Sequence, residues 1–88
     1  MVTRTEKIVN KLGLHARPSA MLVTAASHFQ SEVYFTKGDL RVNGKSIMGV
    51  MMLAAEMGSE LLIEIEGPDE QEALEEISRV IASGFGEA

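Results

Sequence analysis

Not one cysteine occurs among the 88 residues, and this constrains the chain more than any other feature. A fold of this size is often stapled by disulfides or a thiolate-bound metal; without thiols, the hydrophobic core must hold it alone. At the usual ~100–200 residues per domain there is room for a single core over residues 1–88 and no large internal cavity. Hydrophobic residues make up 45% and charged residues 24%, which suits a globular protein better than a disordered one. No apolar run approaches the ~18–20 residues of a spanning helix. The N-terminus, with Arg4, Glu6 and Lys7 among short polar residues, lacks the basic-then-apolar layout of a secretory signal. A cytoplasmic, monomeric protein that does not enter a membrane is expected.

Periodicity then divides the chain into elements. Val2–Val9 reads as a strand despite irregular alternation, and Asn10–His15 as a loop interrupted by Gly13. From Ala16 to Phe29, residues Leu22, Ala25, Ala26 and Phe29 recur at i, i+3, i+4 and i+7, the stripe of an amphipathic helix. Pro18 suits that helix only in its first turn, where a missing N–H costs no hydrogen bond, so the helix is predicted to begin just after His15. Val33 and Phe35, then Leu40 and Val42, alternate on either side of Gly38-Asp39, the pattern of two short strands joined by a tight hairpin. Ser46 stands where a helix N-cap belongs, and the helix it opens is predicted to run from Ile47 to about Met57 and stop at Gly58, with Val50, Leu53, Ala54 and Met57 as its core stripe. Leu61, Ile63 and Ile65 alternate with Leu62, Glu64 and Glu66 as a strand closed by Gly67-Pro68. Asp69 and Glu72 have capping-box spacing, and Ala73, Ile77, Val80 and Ile81 line a last helix that Gly84 ends; Phe85 to Ala88 follow as a short ending. The predicted class is α+β, an open-faced sandwich whose four-stranded, mostly antiparallel sheet carries three helices on one face in the order β-α-β-β-α-β-α.

Charge is divided along the chain. Residues 1–45 hold seven basic and three acidic side chains, whereas residues 46–88 hold Arg79 against ten acids. The basic residues are scattered, with no arginine-rich or aromatic-rich run, which argues against nucleic-acid binding. Anion chemistry is to be sought at one or two positions of the first half.

His15 is the first such position. It follows a glycine-containing loop, directly precedes a helix N-terminus, and has Arg17 two residues on, with no Asp or Glu from Lys7 through Ser31. The backbone N–H groups of Ala16 and Arg17, the helix dipole and the Arg17 guanidinium all favour a bound anion. The same field disfavours the imidazolium and keeps the ring neutral, the form that attacks phosphorus. The plainer alternative makes His15 a surface loop residue that helps cap the helix, and local chemistry leaves both open. His28 complements a helix C-terminus. Neither histidine has partners at metal-ligand spacing, so no metal is expected, and no cofactor loop accompanies them.

Ser46 likewise has two readings: an N-cap, or a phosphorylation site whose added charge a helix N-terminus tolerates. Beside the core stripe of its helix, Ile47, Met48, Met51 and Met52 make a second apolar stripe. It serves either as further core or as an exposed, adaptable surface for several partners.

Gly13-Leu14-His15-Ala16-Arg17-Pro18, followed by Asn43-Gly44-Lys45-Ser46-Ile47-Met48-Gly49-Val50-Met51, resembles the HPr family, the histidine-containing phosphocarriers of the bacterial phosphoenolpyruvate-dependent sugar phosphotransferase system. The resemblance spans essentially the whole chain. It implies that His15 accepts a phosphoryl group from Enzyme I and passes it to sugar-specific A domains, with Arg17 stabilising the transferred group, and that the protein is a carrier without cofactor rather than an enzyme. It also implies that Ser46 is a target for an ATP-dependent HPr kinase/phosphorylase. Partner docking is assigned to Ile47, Met48 and Met51 of the second apolar stripe. Thr24 and Ser27 stand where some members place lysines. Asn10-Lys11-Leu12-Gly13-Leu14 and the ending Ser83-Gly84-Phe85 resemble the nitrogen-related branch, NPr, which is the alternative, together with a regulatory binding module that acts through Ser46.

Overall fold

The computed structural model describes residues 1–87. Its strands are β1 (Val2–Lys7), β2 (Glu32–Lys37), β3 (Leu40–Asn43) and β4 (Glu60–Glu66); its helices are α1 (Ala16–Ser27), α2 (Ile47–Met52) and α3 (Glu70–Ala82). The strand order is β1-β4-β2-β3 with every pair antiparallel, and the three helices lie on one face. The open-faced sandwich read from the sequence is therefore the fold, with a sheet that is wholly antiparallel.

Alternation sets the register. Val33 pairs with Ile65 and Phe35 with Ile63, so these side chains and Leu61 share the covered face. All five are essentially fully buried, against Leu22 and Ala26 of α1 and Ile77 and Ile81 of α3, in one hydrophobic cluster. The opposite face, with Glu60, Leu62 and Glu66, is open to solvent. The weak alternation of β1 has a physical cause. This strand is at the sheet edge and its inward positions Val2, Arg4 and Glu6 are only half-buried; Arg4 reaches the flank of α3, where its guanidinium donates to both carboxylate oxygens of Glu75 at 3.2–3.3 Å. The hairpin turns at Gly38, whose φ of +59° suits the first central position of a two-residue loop.

Two local expectations are corrected. First, α2 ends at Met52 rather than near Met57. Ala54 takes a left-handed φ of +48°, and the chain leaves the helix so that Ala55 enters the core and its carbonyl accepts from Leu14 N–H at 2.8 Å. Only Val50 and Leu53 of the expected core stripe are buried; Ala54 and Met57 are exposed. Second, Asp69 and Glu72 form no capping box. The Asp69 carboxylate turns to the α1–β2 connection, accepting from Gln30 N–H at 2.9 Å, from Ser31 N–H at 3.0 Å and from the Ser31 hydroxyl. Glu70 instead accepts from Gly67 N–H at 3.1 Å.

The short ending packs on the core. After α3, Gly84, Phe85 and Gly86 take φ of +71°, +58° and +71°, and this left-handed turn drives Phe85 into the core, where it is fully buried. Ala88 lies outside the described residues.

Candidate functional site

The loop before α1 is fixed from its glycine. Gly13 has φ +65°, and a Cβ there would lie 2.3 Å from Ala55 O and 2.7 Å from Glu56 Cα, so only glycine lets the loop lie against the α2–β4 connection. The buried Leu14 that follows is held by its bond to Ala55 O and by the Ser19 hydroxyl, which donates to Leu14 O at 3.0 Å. His15 comes next as the N-cap residue of α1, in extended conformation and without a side-chain capping bond. Its ring is thus free of the capping role that the plainer sequence reading gave it, and its side chain is 37% exposed.

The end of α1 leaves two donors at this point. Ser19 N–H is used by His15 O at 3.0 Å and Pro18 has none, whereas the N–H groups of Ala16 and Arg17 lie in the first turn, where a helix offers no acceptor. Arg17 is exposed and forms no ion pair among the described residues. The sequence readings of His15, Ala16 and Arg17 therefore fall on one exposed spot. A shallow groove of about 390 Å³ between α1 and α3 runs from Arg17 past Met21 and Thr24 to His28. At 1.5 Å rise per residue His28 is ~20 Å from His15.

One neighbour was not legible locally. Glu87 Oε2 lies 2.9 Å from His15 Nε2, and Glu87 Oε1 accepts from Asn10 Nδ2 at 3.0 Å. Asn10 is buried and donates a second time to Gly13 O at 2.8 Å. The setting of His15, free of acidic residues in the flanking sequence, thus gains a carboxylate 72 residues away. The Asn10 amide, and after it the His15 ring and the Arg17 charge, hold the Glu87 carboxyl below its ordinary value. With an acceptor at Nε2, we assign the ring proton to Nε2 and the lone pair to Nδ1, for which the described residues provide no partner.

Ser46 caps α2, its hydroxyl oxygen accepting from Gly49 N–H at 3.1 Å. The turn before it needs Gly44, where a Cβ would lie 2.6 Å from Val33 Cγ1 and 2.8 Å from Phe35 Cε2. The second stripe of α2 is on the surface: Met48 is 70% and Met52 66% exposed, with Ile47 and Met51 near 40%. Among the described residues no three metal-ligating side chains converge, and no helix is long and apolar enough to cross a membrane.

The chain as a whole is similar to known proteins. Residues 2–83 match the family model described as "PTS HPr component phosphorylation site". The chain is 52% identical over 87 residues to phosphocarrier protein HPr of Cupriavidus necator (99% of this chain, 98% of that protein), and 49% identical over 87 residues to that of Treponema pallidum (99% of each). It is also 43% identical over 81 residues to the HPr-like protein Crh of Bacillus subtilis (92% of this chain, 95% of Crh). Among solved structures, HPr from Thermoanaerobacter tengcongensis superposes with a TM-score of 0.96 at 44% identity (100% of this chain, 99% of that one). An HPr dimer from the same organism gives 0.80 at 45% identity (99% and 100%). The model match, the near-complete coverage and the shared fold agree: the chain belongs to the HPr family, whose members are phosphocarriers of the phosphotransferase system rather than enzymes in their own right.

Proposed function

We propose that the protein takes a phosphoryl group from Enzyme I onto His15 and gives it to sugar-specific A domains. The observation that carries this reading is the exposed imidazole at the N-terminus of α1, with Nε2 held by Glu87 and Nδ1 without a partner among the described residues. The Nδ1 lone pair forms the N–P bond as the donor's bond to phosphorus breaks, and that electron pair leaves with the donor. The ring keeps its Nε2 proton and becomes cationic. Ala16 and Arg17 N–H groups receive phosphoryl oxygens, and the Arg17 guanidinium, which forms no ion pair among the described residues, can contact two of them in one plane. Discharge to an A domain reverses these steps.

Ile47, Met48 and Met51 are the docking surface, since four exposed apolar side chains on a six-residue helix have no use within the monomer. Ser46 at their edge is the regulatory phosphorylation site for an HPr kinase/phosphorylase. The protein acts as a cytoplasmic monomer of a single domain, without metal, cofactor or nucleic acid. The dimer of the Thermoanaerobacter relative makes a second copy the competing state.

The likeness to Crh, described in a solved structure as the Bacillus subtilis catabolite repression HPr, supports a second reading, a regulatory module, which we assign to Ser46. Incubation with phosphoenolpyruvate and Enzyme I separates the two. The carrier acquires an acid-labile phosphoryl group, lost in His15→Ala and retained in His28→Ala. Undiminished labelling of His15→Ala ends the carrier reading. Substitution of the Enzyme I and A domains of the nitrogen branch in the same assay decides between the sugar system and NPr.

A further inference from the structure

The tail is built to bring a carboxylate to His15. Three consecutive left-handed residues are a costly path, and Phe85, the one without glycine's freedom, repays the strain by full burial. Phe85 anchors the tail, Glu87 N–H donates to Gly84 O at 3.0 Å, and the Glu87 side chain is fixed at both oxygens, by Asn10 Nδ2 on one and the imidazole on the other. Asn10 is buried and spends its remaining donor on Gly13 O, in the loop that presents His15. A surface carboxylate that merely met a histidine would need neither the buried amide behind it nor the anchored turn before it.

We propose that Glu87, fixed by Asn10, is a positioning residue for phosphoryl transfer. It anchors Nε2–H, so that the ring presents Nδ1 to the incoming phosphorus, and it balances the positive charge that the ring carries once Nδ1 is bonded. Among the described residues Arg17 from α1 is the other charged group that acts on Glu87, and it serves the phosphoryl oxygens rather than the ring. The proposal rests on His15 being the acceptor, as argued above.

The test uses the full chain with Enzyme I and phosphoenolpyruvate, and two readouts: turnover and Michaelis constant for Enzyme I in labelling, and the NMR resonance of the Nε2-bound proton. Glu87→Ala should lower turnover about two- to fivefold, the scale of a half-exposed charge contact, with an unchanged Michaelis constant because the docking helix is untouched. The same change should broaden the Nε2–H resonance through exchange with water. Glu87→Gln, which keeps an oxygen acceptor without the charge, should restore the resonance and part of the turnover. Asn10→Ala should lower turnover in the same sense. If the parent is labelled normally and Glu87→Ala turns over equally fast, this proposal is overturned and the carrier function stands. If the parent is not labelled on histidine at all, both fall together.

Discussion

Replacing Phe85 tests whether the tail belongs to the folded core. The ring is fully buried although it sits three residues from the end of the chain, and its φ is +58°. Deleting a buried phenyl group costs about 3–5 kcal/mol in transfer and cavity terms, and the lower end applies because the short turn that carries Phe85 after α3 can relax into part of the space. For an 88-residue domain with total stability on the order of 4–13 kcal/mol, Phe85→Ala should therefore cost about 3 kcal/mol. Phe85→Gly sharpens the comparison. Glycine is ordinarily the less stable of the two by about 0.5–1 kcal/mol, but alanine at this φ keeps a left-handed penalty of ~1–2 kcal/mol that glycine avoids. Urea unfolding followed by circular dichroism should thus rank parent, Phe85→Gly, Phe85→Ala in falling order. A loss below about 1 kcal/mol for Phe85→Ala, or glycine ranking below alanine, would refute the reasoning and leave the tail as a loosely docked end.

Three further outcomes follow from single contacts. Ala54, exposed at φ +48° after α2, should gain about 0.5–1 kcal/mol on replacement by glycine, read as a higher urea midpoint. The Asp69 carboxyl is held below its ordinary value of 3.8, chiefly by the Ser31 hydroxyl and then by Gln30 N–H. The unfolded chain consequently binds the proton first; the contribution is full above pH 3.8 and is lost as pH falls through the lower folded value. Asp69→Ala should flatten that part of the acid-unfolding profile while also lowering stability at neutral pH. At Ser46, Ala should cost ~1 kcal/mol by removing the cap on Gly49 N–H. Asp there should raise the Michaelis constant for Enzyme I without lowering the melting temperature, because its charge suits the helix end but burdens the docking face; tight binding at low salt would remove Ser46 from regulation.

Much of the fold could be read from pattern because its signals are local. The alternation of Leu61, Ile63 and Ile65 and the placement of Pro18 in the first helical turn after His15 each depend on a few neighbouring residues. What escaped was decided by tertiary competition. Ala54 has no sequence mark for a left-handed conformation; it adopts one because Ala55 must meet Leu14. Asp69 has capping-box spacing, yet Ser31 and Gln30 outbid its own helix for the carboxylate. Glu87 lies 72 residues from His15, beyond any window of periodicity. The one available signal was Phe85, a large apolar residue between two glycines in an otherwise polar ending, which marks an anchor rather than a frayed terminus.

The site of phosphorylation itself is the most direct test of the whole account. The protein, carrying 15N-histidine, is charged with phosphoenolpyruvate and Enzyme I and observed by 15N and 31P NMR. Phosphorus should couple to Nδ1 of His15 alone, with Nε2 still bearing its proton against Glu87. Phosphorus on Nε2, on His28, or on no histidine would contradict the assignment that the hydrogen bond to Glu87 supports.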